Sequence, residues 1–247
     1  MRHERQVELL RRLVGEHAPR PGPLAPASMH NPADAYTSPT RYDDEVRTLF
    51  HGGPTVVALS CELTEPGSYV TLLVGTVPAV VVRQVDGSVR GFVNVCRHRG
   101  STLLAAPCAE PLGSIRCPYH AWTYALDGTL QRFPGAEAGF DDVDKATHGL
   151  VEIPVAEAHG LVLTIADPAA DAFTVDDALH GAAEEIRDFG IGAYQHVDSR
   201  EHEWAMNWKL VMDTFTEPYH IPWLHKDSIA PHYLFDRWIH DLSLIHI

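Results

Sequence analysis

At 247 residues, 45% apolar and 21% charged, the chain can bury one large core or two modest ones, which excludes a fibrous or disordered protein. Nineteen basic against thirty-three acidic residues give a formal charge of −14, which repels phosphate backbones and acidic lipid surfaces and argues against a nucleic-acid partner. The longest apolar runs, 77–82 and 161–165, are far too short to cross a bilayer, and no apolar stretch follows Met1-Arg2-His3-Glu4-Arg5, so neither a membrane span nor a secretory signal is expected.

In chain order, Val7, Leu9, Leu10, Leu13 and Val14 recur at roughly helical spacing, which predicts a short amphipathic helix within residues 1–20. Residues 21–39 turn to Pro, Ala, Ser and Asn, a linker composition, so 1–41 forms an N-terminal helix and linker arm. One more helix is expected over 42–51. Short β-branched runs follow at 56–59, 69–74, 79–85 and 89–95, punctuated by Pro66-Gly67 and Asp86-Gly87, and predict a meander of antiparallel strands. Further runs at 122–126, 151–155 and 161–165, with the Asp127-Gly128 turn among them, complete an all-β domain at 42–168. From Asp171 helical spacing returns (Phe173, Leu179, Ala183, Ile186, Phe189). A strand near 195–204 and a helix opening near Asn207 are then expected, so 169–241 begins a second domain. Residues 242–247, Leu-Ser-Leu-Ile-His-Ile, are what a common transposase sequencing adapter encodes in one reading frame; a library scar is expected there, with the natural chain continuing past about Asp241.

Four cysteines without a signal peptide suit a reducing, cytoplasmic setting in which thiols serve metals or chemistry, and sixteen histidines are the unusual count. Two pairs, Cys96-Arg97-His98 and Cys117-Pro118-Tyr119-His120, lie eighteen residues apart at the ends of expected strands. A loop presenting a thiolate and an imidazole two or three residues apart can give its Cys to one iron and its His to another. Two such loops complete a [2Fe-2S] cluster with two Cys on one iron and two His on the second, at a higher potential than an all-Cys cluster. Tetrahedral zinc is the alternative, but zinc fingers keep their cysteines together ahead of their histidines, whereas each loop here is mixed. Cys61 and Cys108 read as ordinary thiols.

A second pattern runs from Asn207-Trp208-Lys209 to His225. His220 and His225, five apart, would diverge by about 140° on an unbroken helix. Pro218 and Pro222 interrupt such a helix and let the imidazoles swing together. Two His plus one carboxylate on one face of an iron is the facial triad of non-haem Fe(II) oxygenases. Asp213 is a further carboxylate there, either supporting the metal or simply a polar helix residue. Asn207, Trp208 and Tyr219 suit capping and packing, and His196, His202, His232 and His240 suit solvated positions, with His232 in a region that could also line a pocket.

Cys96-Arg97-His98-Arg99-Gly100 and Cys117-Pro118-Tyr119-His120-Ala121-Trp122, with Asn94-Val95 before and Asp127-Gly128 after, resemble the cluster signature of the Rieske non-haem iron oxygenases, the aromatic-ring-hydroxylating family. The 207–225 segment is similar to the Asn-Trp-Lys…Tyr-His…His motif of the same family, in the same order, so the resemblance spans about 42–225. It implies an α+β chain: an all-β Rieske [2Fe-2S] domain followed by the start of an α+β, helix-grip-like catalytic domain. Cys96, His98, Cys117 and His120 would hold the cluster, and His220 and His225 a mononuclear Fe(II). Glu217 occupies the bridging carboxylate position, where it would bond a ligand His and, across a subunit boundary, a cluster His. The family commonly has Asp there, and some members acting on quaternary ammonium compounds carry Glu.

The resemblance further implies electrons from NAD(P)H through a reductase or ferredoxin, and O2 activation beside an aromatic or quaternary-ammonium-like substrate to give a diol, an alcohol or a dealkylated product. It also implies a trimer-based homo-oligomer with an optional β subunit. The family's third iron ligand, an Asp or Glu, comes from much further along. Asp227, Asp236 and Asp241 lie too close to His225 to match it, so the chain as given is expected to be inactive. A Rieske-type electron-transfer protein is the competing function, but it would need only the β domain, and the residues carrying Glu217, His220 and His225 argue against it.

Overall fold

The computed structural model describes residues 3–15, 30–106, 110–135, 139–140 and 143–232. Cys108, Asp236, His240, Asp241 and the suspected scar at 242–247 lie outside the described residues. The chain divides into two compact units, one formed by Asp43–Ser199 and the other by Met1–Tyr42 with Arg200–Ile247.

The N-terminal helices are α1 (His3–Gly15), α2 (Asp34–Thr37) and α3 (Pro39–Glu45), and a wider π-type turn over Val46–His51 follows α3. Ten short strands build the Asp43–Ser199 unit: β1 (Thr55–Leu59), β2 (Tyr69–Val74), β3 (Val77–Arg83), β4 (Val89–Val93), β5 (Ile115–Arg116), β6 (Thr123–Tyr124), β7 (Leu130–Arg132), β8 (Glu152–Ile153), β9 (Val155–Ala158) and β10 (Leu161–Thr164). They form three antiparallel sheets, ordered β2-β3-β4-β8, β1-β10-β9 and β5-β6-β7. The expected meander is therefore correct only for β2-β3-β4. Strand β1 pairs with the last strand instead, Thr55 opposite Thr164, and this pairing joins the two ends of the β unit.

Residues 79–82 are fully buried because β3 is covered on both faces. Val80 and Val82 pack with Phe92, Ile115, Trp122, Tyr124 and Leu130, while Val81 packs with Ala58, Leu63 and Val162. The first cluster fastens the β5-β6-β7 sheet, too small to be stable alone, to the larger one. Pro154 lacks an N–H for a ladder and divides the run expected at 151–155 into β8 and β9.

Helices α4 (Val175–Leu179), opened by the Thr174 side chain accepting from the Asp177 N–H, and α5 (Ala183–Phe189) lay Val175, Leu179 and Ile186 on Leu161 and Leu163 of β10. They thus belong to the same unit as the strands. In the other unit, α6 (Trp208–Thr216) and α7 (Ile221–Leu224) follow an extended segment. The strand expected near 195–204 is absent: a strand needs a pairing edge, none pairs with it among the described residues, and Val197 is 92% exposed. Among the described residues no helix is long and apolar enough to cross a membrane.

Arg83 links two of the sheets. Its guanidinium donates to both Glu157 carboxylate oxygens at 2.6 and 2.7 Å and to the Leu63 and Gly87 carbonyls. These hydrogen bonds hold the Glu157 carboxyl below its ordinary range. A depressed carboxylate contributes stability that is full above its unfolded value of about 4.3 and is lost as pH falls through the folded value. Glu157→Gln is expected to cost about 2 kcal/mol at neutral pH, a difference that closes only in acid below the carboxyl's depressed folded value. Urea unfolding of both proteins at the two pH values measures this, and a pH-independent gap would exclude the ion pair as its source.

Candidate metal centres

Two hairpin tips of equal length carry the predicted cluster residues. Residues 96–101 are closed by the Val95–Thr102 bridge, and residues 117–122 by the Arg116–Thr123 pair. In both, the Cys N–H donates to the carbonyl five residues on, Ser101 or Trp122, each at 2.8 Å. In both, the N–H four residues on, of Gly100 or Ala121, returns to the Cys carbonyl at 3.0 or 3.1 Å. This wrap requires a left-handed residue at the fourth position, with φ of 70° at Gly100 and 59° at Ala121. Gly adopts it without strain, whereas Ala does not. Ala121→Gly is expected to raise unfolding stability by about 1 kcal/mol in urea melts with the visible spectrum unchanged; an unaltered midpoint would mean the strain is absorbed elsewhere.

The tips bring the four side chains together in two pairs. Cys96 and Cys117 are each 3% exposed, and the rings of His98 and His120 stand edge to face at 4.7 Å. His98 lies parallel to Trp122 at 5.0 Å and meets Phe140 edge-on, while exposed Tyr119 stacks on His120 at 3.7 Å. The Nδ1 atoms of both imidazoles are buried without a hydrogen-bond partner. An unpaired buried acceptor is costly, and a metal on each would satisfy them. Burial, with the nearby His120 and Arg99, lowers the His98 pKa and favours the neutral ring that a ligand must be. Burial also raises the Cys96 thiol, so metal binding would release its proton. Two Cys and two His drawn from two mixed loops, the thiols paired at one side and the imidazoles at the other, suit a cluster that takes two ligands on each of two irons. The residues fit a [2Fe-2S] cluster.

Tyr124, fully buried in β6, is a residue that the motif spacing did not single out. Its hydroxyl lies 3.4 Å from Cys96 Sγ and accepts the Arg97 N–H at 3.1 Å. The cue was its place two residues after Trp122, on the same face of a strand. A hydrogen bond to sulfur favours the more negative, reduced cluster. At about 1 kcal/mol for such a bond, and 59 mV for each 1.4 kcal/mol in a one-electron couple, Tyr124→Phe should lower the midpoint by about 40 mV in a redox titration. An unmoved midpoint would remove the hydroxyl from the list of tuning groups.

In the other unit, Asn207 caps α6 by accepting from the Lys209 N–H, and Pro218 stops the helix with Glu217 extended. Chain reversal follows, His220 opens α7 with Pro222 in its first turn, and His225 closes it. This break brings the His220 and His225 rings to 5.4 Å, within reach of one ion. Glu217 Oε1 meets His220 Nδ1 at 2.5 Å, and its Oε2 accepts the N–H groups of Tyr219 and His220. The hydrogen bond from His220 pulls the Glu217 carboxyl below its ordinary value. Asp213 accepts from the Tyr36 hydroxyl at 2.6 Å, and the same hydroxyl accepts from Asn31. Among the described residues no hydrogen bond joins Asp213 to His220 or His225. His196 bonds Ser199 at 2.7 Å rather than water alone, His202 stacks on Trp204, and Cys61 is a free thiol.

Mixed Cys/His hairpin tips on a small antiparallel sheet define a Rieske-type iron-sulfur protein, and residues 53–154 match the Rieske [2Fe-2S] domain. Residues 191–241 match the ring hydroxylating alpha subunit catalytic domain. The chain belongs to the Rieske non-haem iron oxygenases, as an alpha-subunit sequence. It is 35% identical over 231 residues to the glycine betaine monooxygenase oxygenase subunit of Chromohalobacter salexigens, covering 90% of this chain and 46% of that protein. To the large oxygenase component of the naphthalene 1,2-dioxygenase system of a Ralstonia species it is 34% identical, covering 76% of this chain and 43% of that protein. A solved quaternary ammonium Rieske monooxygenase in complex with gamma-butyrobetaine superposes with a TM-score of 0.71 at 32% identity, over 79% of this chain and 56% of that one. The chain spans about half the length of the curated relatives it matches.

Proposed function

We propose that this chain supplies the [2Fe-2S] cluster and two ligands of a mononuclear Fe(II) to the oxygenase component of a Rieske system, which hydroxylates or dealkylates a small organic substrate with O2. The observation that carries the reading is the pair of equivalent hairpins whose two imidazole Nδ1 atoms are buried and unpartnered. Cys96 and Cys117 would hold one iron of the cluster, His98 and His120 the other, and His220 and His225 the mononuclear iron. A bound Rieske cluster and ferrous iron supply one-electron transfer and O2 activation.

The chain's own residues do the positioning. Trp122 and Phe140 pack on the His98 ring and keep water from its inner edge. Glu217 engages Nδ1 of His220, which leaves Nε2 for a metal and fixes the ring's tautomer. Asn207 and Pro218 set the two ends of the helix before it. We assign Glu217 the bridging role to a cluster His of a neighbouring subunit, in a trimer-based homo-oligomer with or without a β subunit, and a cytoplasmic reductase or ferredoxin, ultimately NAD(P)H, as the electron source. Helices α4 and α5 pack on β10 within the Asp43–Ser199 unit, and the match to the catalytic domain begins at residue 191, before that unit ends.

Quaternary ammonium compounds are the favoured substrates over aromatics. Glycine betaine, choline and carnitine monooxygenases stand among the relatives, and Glu217 replaces the commoner Asp. Anaerobically purified protein should absorb in the visible and give an EPR signal on dithionite reduction; a colourless product holding only zinc would sink the cluster assignment. With its reductase, the intact oxygenase component should consume O2 with glycine betaine, carnitine or gamma-butyrobetaine. Uptake with naphthalene alone would overturn the substrate class, and uptake with none of them the oxygenase reading.

A further inference from the structure

We propose that the N-terminal arm is part of the mononuclear-iron centre, with Tyr36 as a positioning residue that holds α6 and, through it, the turn from Glu217 to His220. The inference rests on the assignment of His220 and His225 to that iron. In sequence the arm reads as a linker, yet it belongs to the same compact unit as Arg200–Ile247. Helix α6 needs support from outside itself. It is nine residues long, shorter than the ~12–15 residues below which isolated helices are marginal in water, and none of its residues is fully buried. Pro218 ends it just before the chain reversal that carries His220, so the position of its last turn sets where that imidazole starts.

Tyr36 reaches α6 at two points. Its hydroxyl donates to Asp213 Oδ2 at 2.6 Å, one helical turn before Glu217, and accepts from Asn31 Nδ2 at 2.8 Å. Its carbonyl accepts from Asn207 Nδ2 at 3.0 Å, while Asn207 Oδ1 caps the helix on the Lys209 N–H. One side-chain amide thus faces both ways: its oxygen starts α6 and its nitrogen fastens α6 to the arm. With ties at the cap and toward the other end, the helix is constrained both in tilt and in rotation about its axis. The phenol–carboxylate bond is charge-assisted, the shorter and stronger class of hydrogen bond. The arm is itself ordered where it makes these contacts. Ala35 is 3% exposed, and within the single turn of α2 the Tyr36 and Ser38 N–H groups donate to the Ala33 and Asp34 carbonyls. A turn already placed loses less entropy when a metal arrives, so both ties should be read out as metal affinity.

The test titrates Co(II) into the anaerobic full chain, with His220→Ala as the baseline for cobalt held elsewhere. Tyr36→Phe, which keeps the ring and loses the hydroxyl, should weaken binding about fivefold. Asn207→Asp should weaken it similarly, although Asp caps a helix as well as Asn does, because a carboxylate cannot donate to the Tyr36 carbonyl. Asp213→Asn keeps an acceptor for the phenol and should stay within about twofold of the parent. The [2Fe-2S] absorption, which belongs to the Asp43–Ser199 unit, should be alike in all of them and serves as the control for folding. Linkage makes the effect reciprocal: saturating Co(II) should slow hydrogen exchange in the 31–38 peptide about fivefold in the parent and leave it unchanged in His220→Ala. Parent-like cobalt affinity in Tyr36→Phe overturns the positioning role. So does an Asp213→Asn protein as weak as Tyr36→Phe, since the Asp213 charge rather than the phenol bond would then carry the effect. A parent titration no different from that of His220→Ala overturns the iron assignment and the proposal with it.

Discussion

Cys117→Ser is expected to yield a colourless protein that still folds but melts about 10 °C below its parent. Cys117 is buried at the base of the second hairpin tip, where its backbone is already fixed by bonds to Trp122 and Ala121. The side chain therefore has little freedom to do anything but ligate, and the shorter, harder serine oxygen is a poor substitute for a thiolate on iron. Once the cluster is lost, the Nδ1 atoms of His98 and His120 stay buried without partners, each costing about 1–3 kcal/mol. That penalty falls on the tips and the β5-β6-β7 sheet. The packing of Val80, Val82 and Phe92 and the β1–β10 pairing lie outside the tips, so far-UV circular dichroism should persist. Cys61→Ser, at a free and half-buried thiol, is the comparison and should change neither colour nor melting temperature. A Cys117→Ser protein with the parent's visible spectrum would remove Cys117 from the ligand set.

The features legible in the sequence share one property: their partners lie close along the chain. β-Branched runs marked β2 over Tyr69–Val74 to the residue, and Asn207 marked the start of α6, because pleat and cap are decided within a few residues. The pairing of His220 with Glu217 is of the same kind, three residues apart across a proline. What failed was non-local. β1 looked like the first strand of a meander, yet nothing in Thr55–Leu59 says that its neighbour will be Leu161–Thr164. Residues 195–204 have strand-like composition, but composition cannot supply the edge that a strand must pair with. The Tyr36–Asp213 hydrogen bond joins residues 177 apart and left no trace in either local pattern. Tyr124 illustrates an intermediate case: burial was predictable from its strand, but the approach of its hydroxyl to Cys96 depends on how the two hairpins meet. The equivalence of those hairpins was itself hidden, since Cys-x-His and Cys-x-x-His differ in spacing while their backbone hydrogen bonds match.

Glu217→Ala is expected to weaken binding of Co(II), a spectroscopic stand-in for Fe(II), by about 10- to 100-fold. Glu217 does two separable things. Through Oε1 it fixes the His220 ring at Nδ1, and through Oε2 it accepts the Tyr219 and His220 N–H groups, ordering the turn that carries the imidazole to within 5.4 Å of its neighbour. Alanine removes both, so the free chain must order the ring and the turn as metal binds. Glutamine keeps a side-chain carbonyl that can accept one of the bonds but withdraws the negative charge that raises the basicity of His220. Its affinity should therefore fall between the parent and alanine. His220→Ala should abolish the cobalt spectrum, while Asp213→Asn, at a group bonded to Tyr36, should leave it nearly unaltered. The titration is followed by visible absorbance on the anaerobic full chain, after subtraction of the cluster bands. Equal affinities for parent and Glu217→Ala would mean that Glu217 merely caps a turn, and the proposed path from cluster to mononuclear iron would lose its carboxylate. A Glu217→Gln protein as weak as alanine would place the whole effect in the charge. That would make the His220 bond, rather than the turn, the feature on which this half of the centre depends.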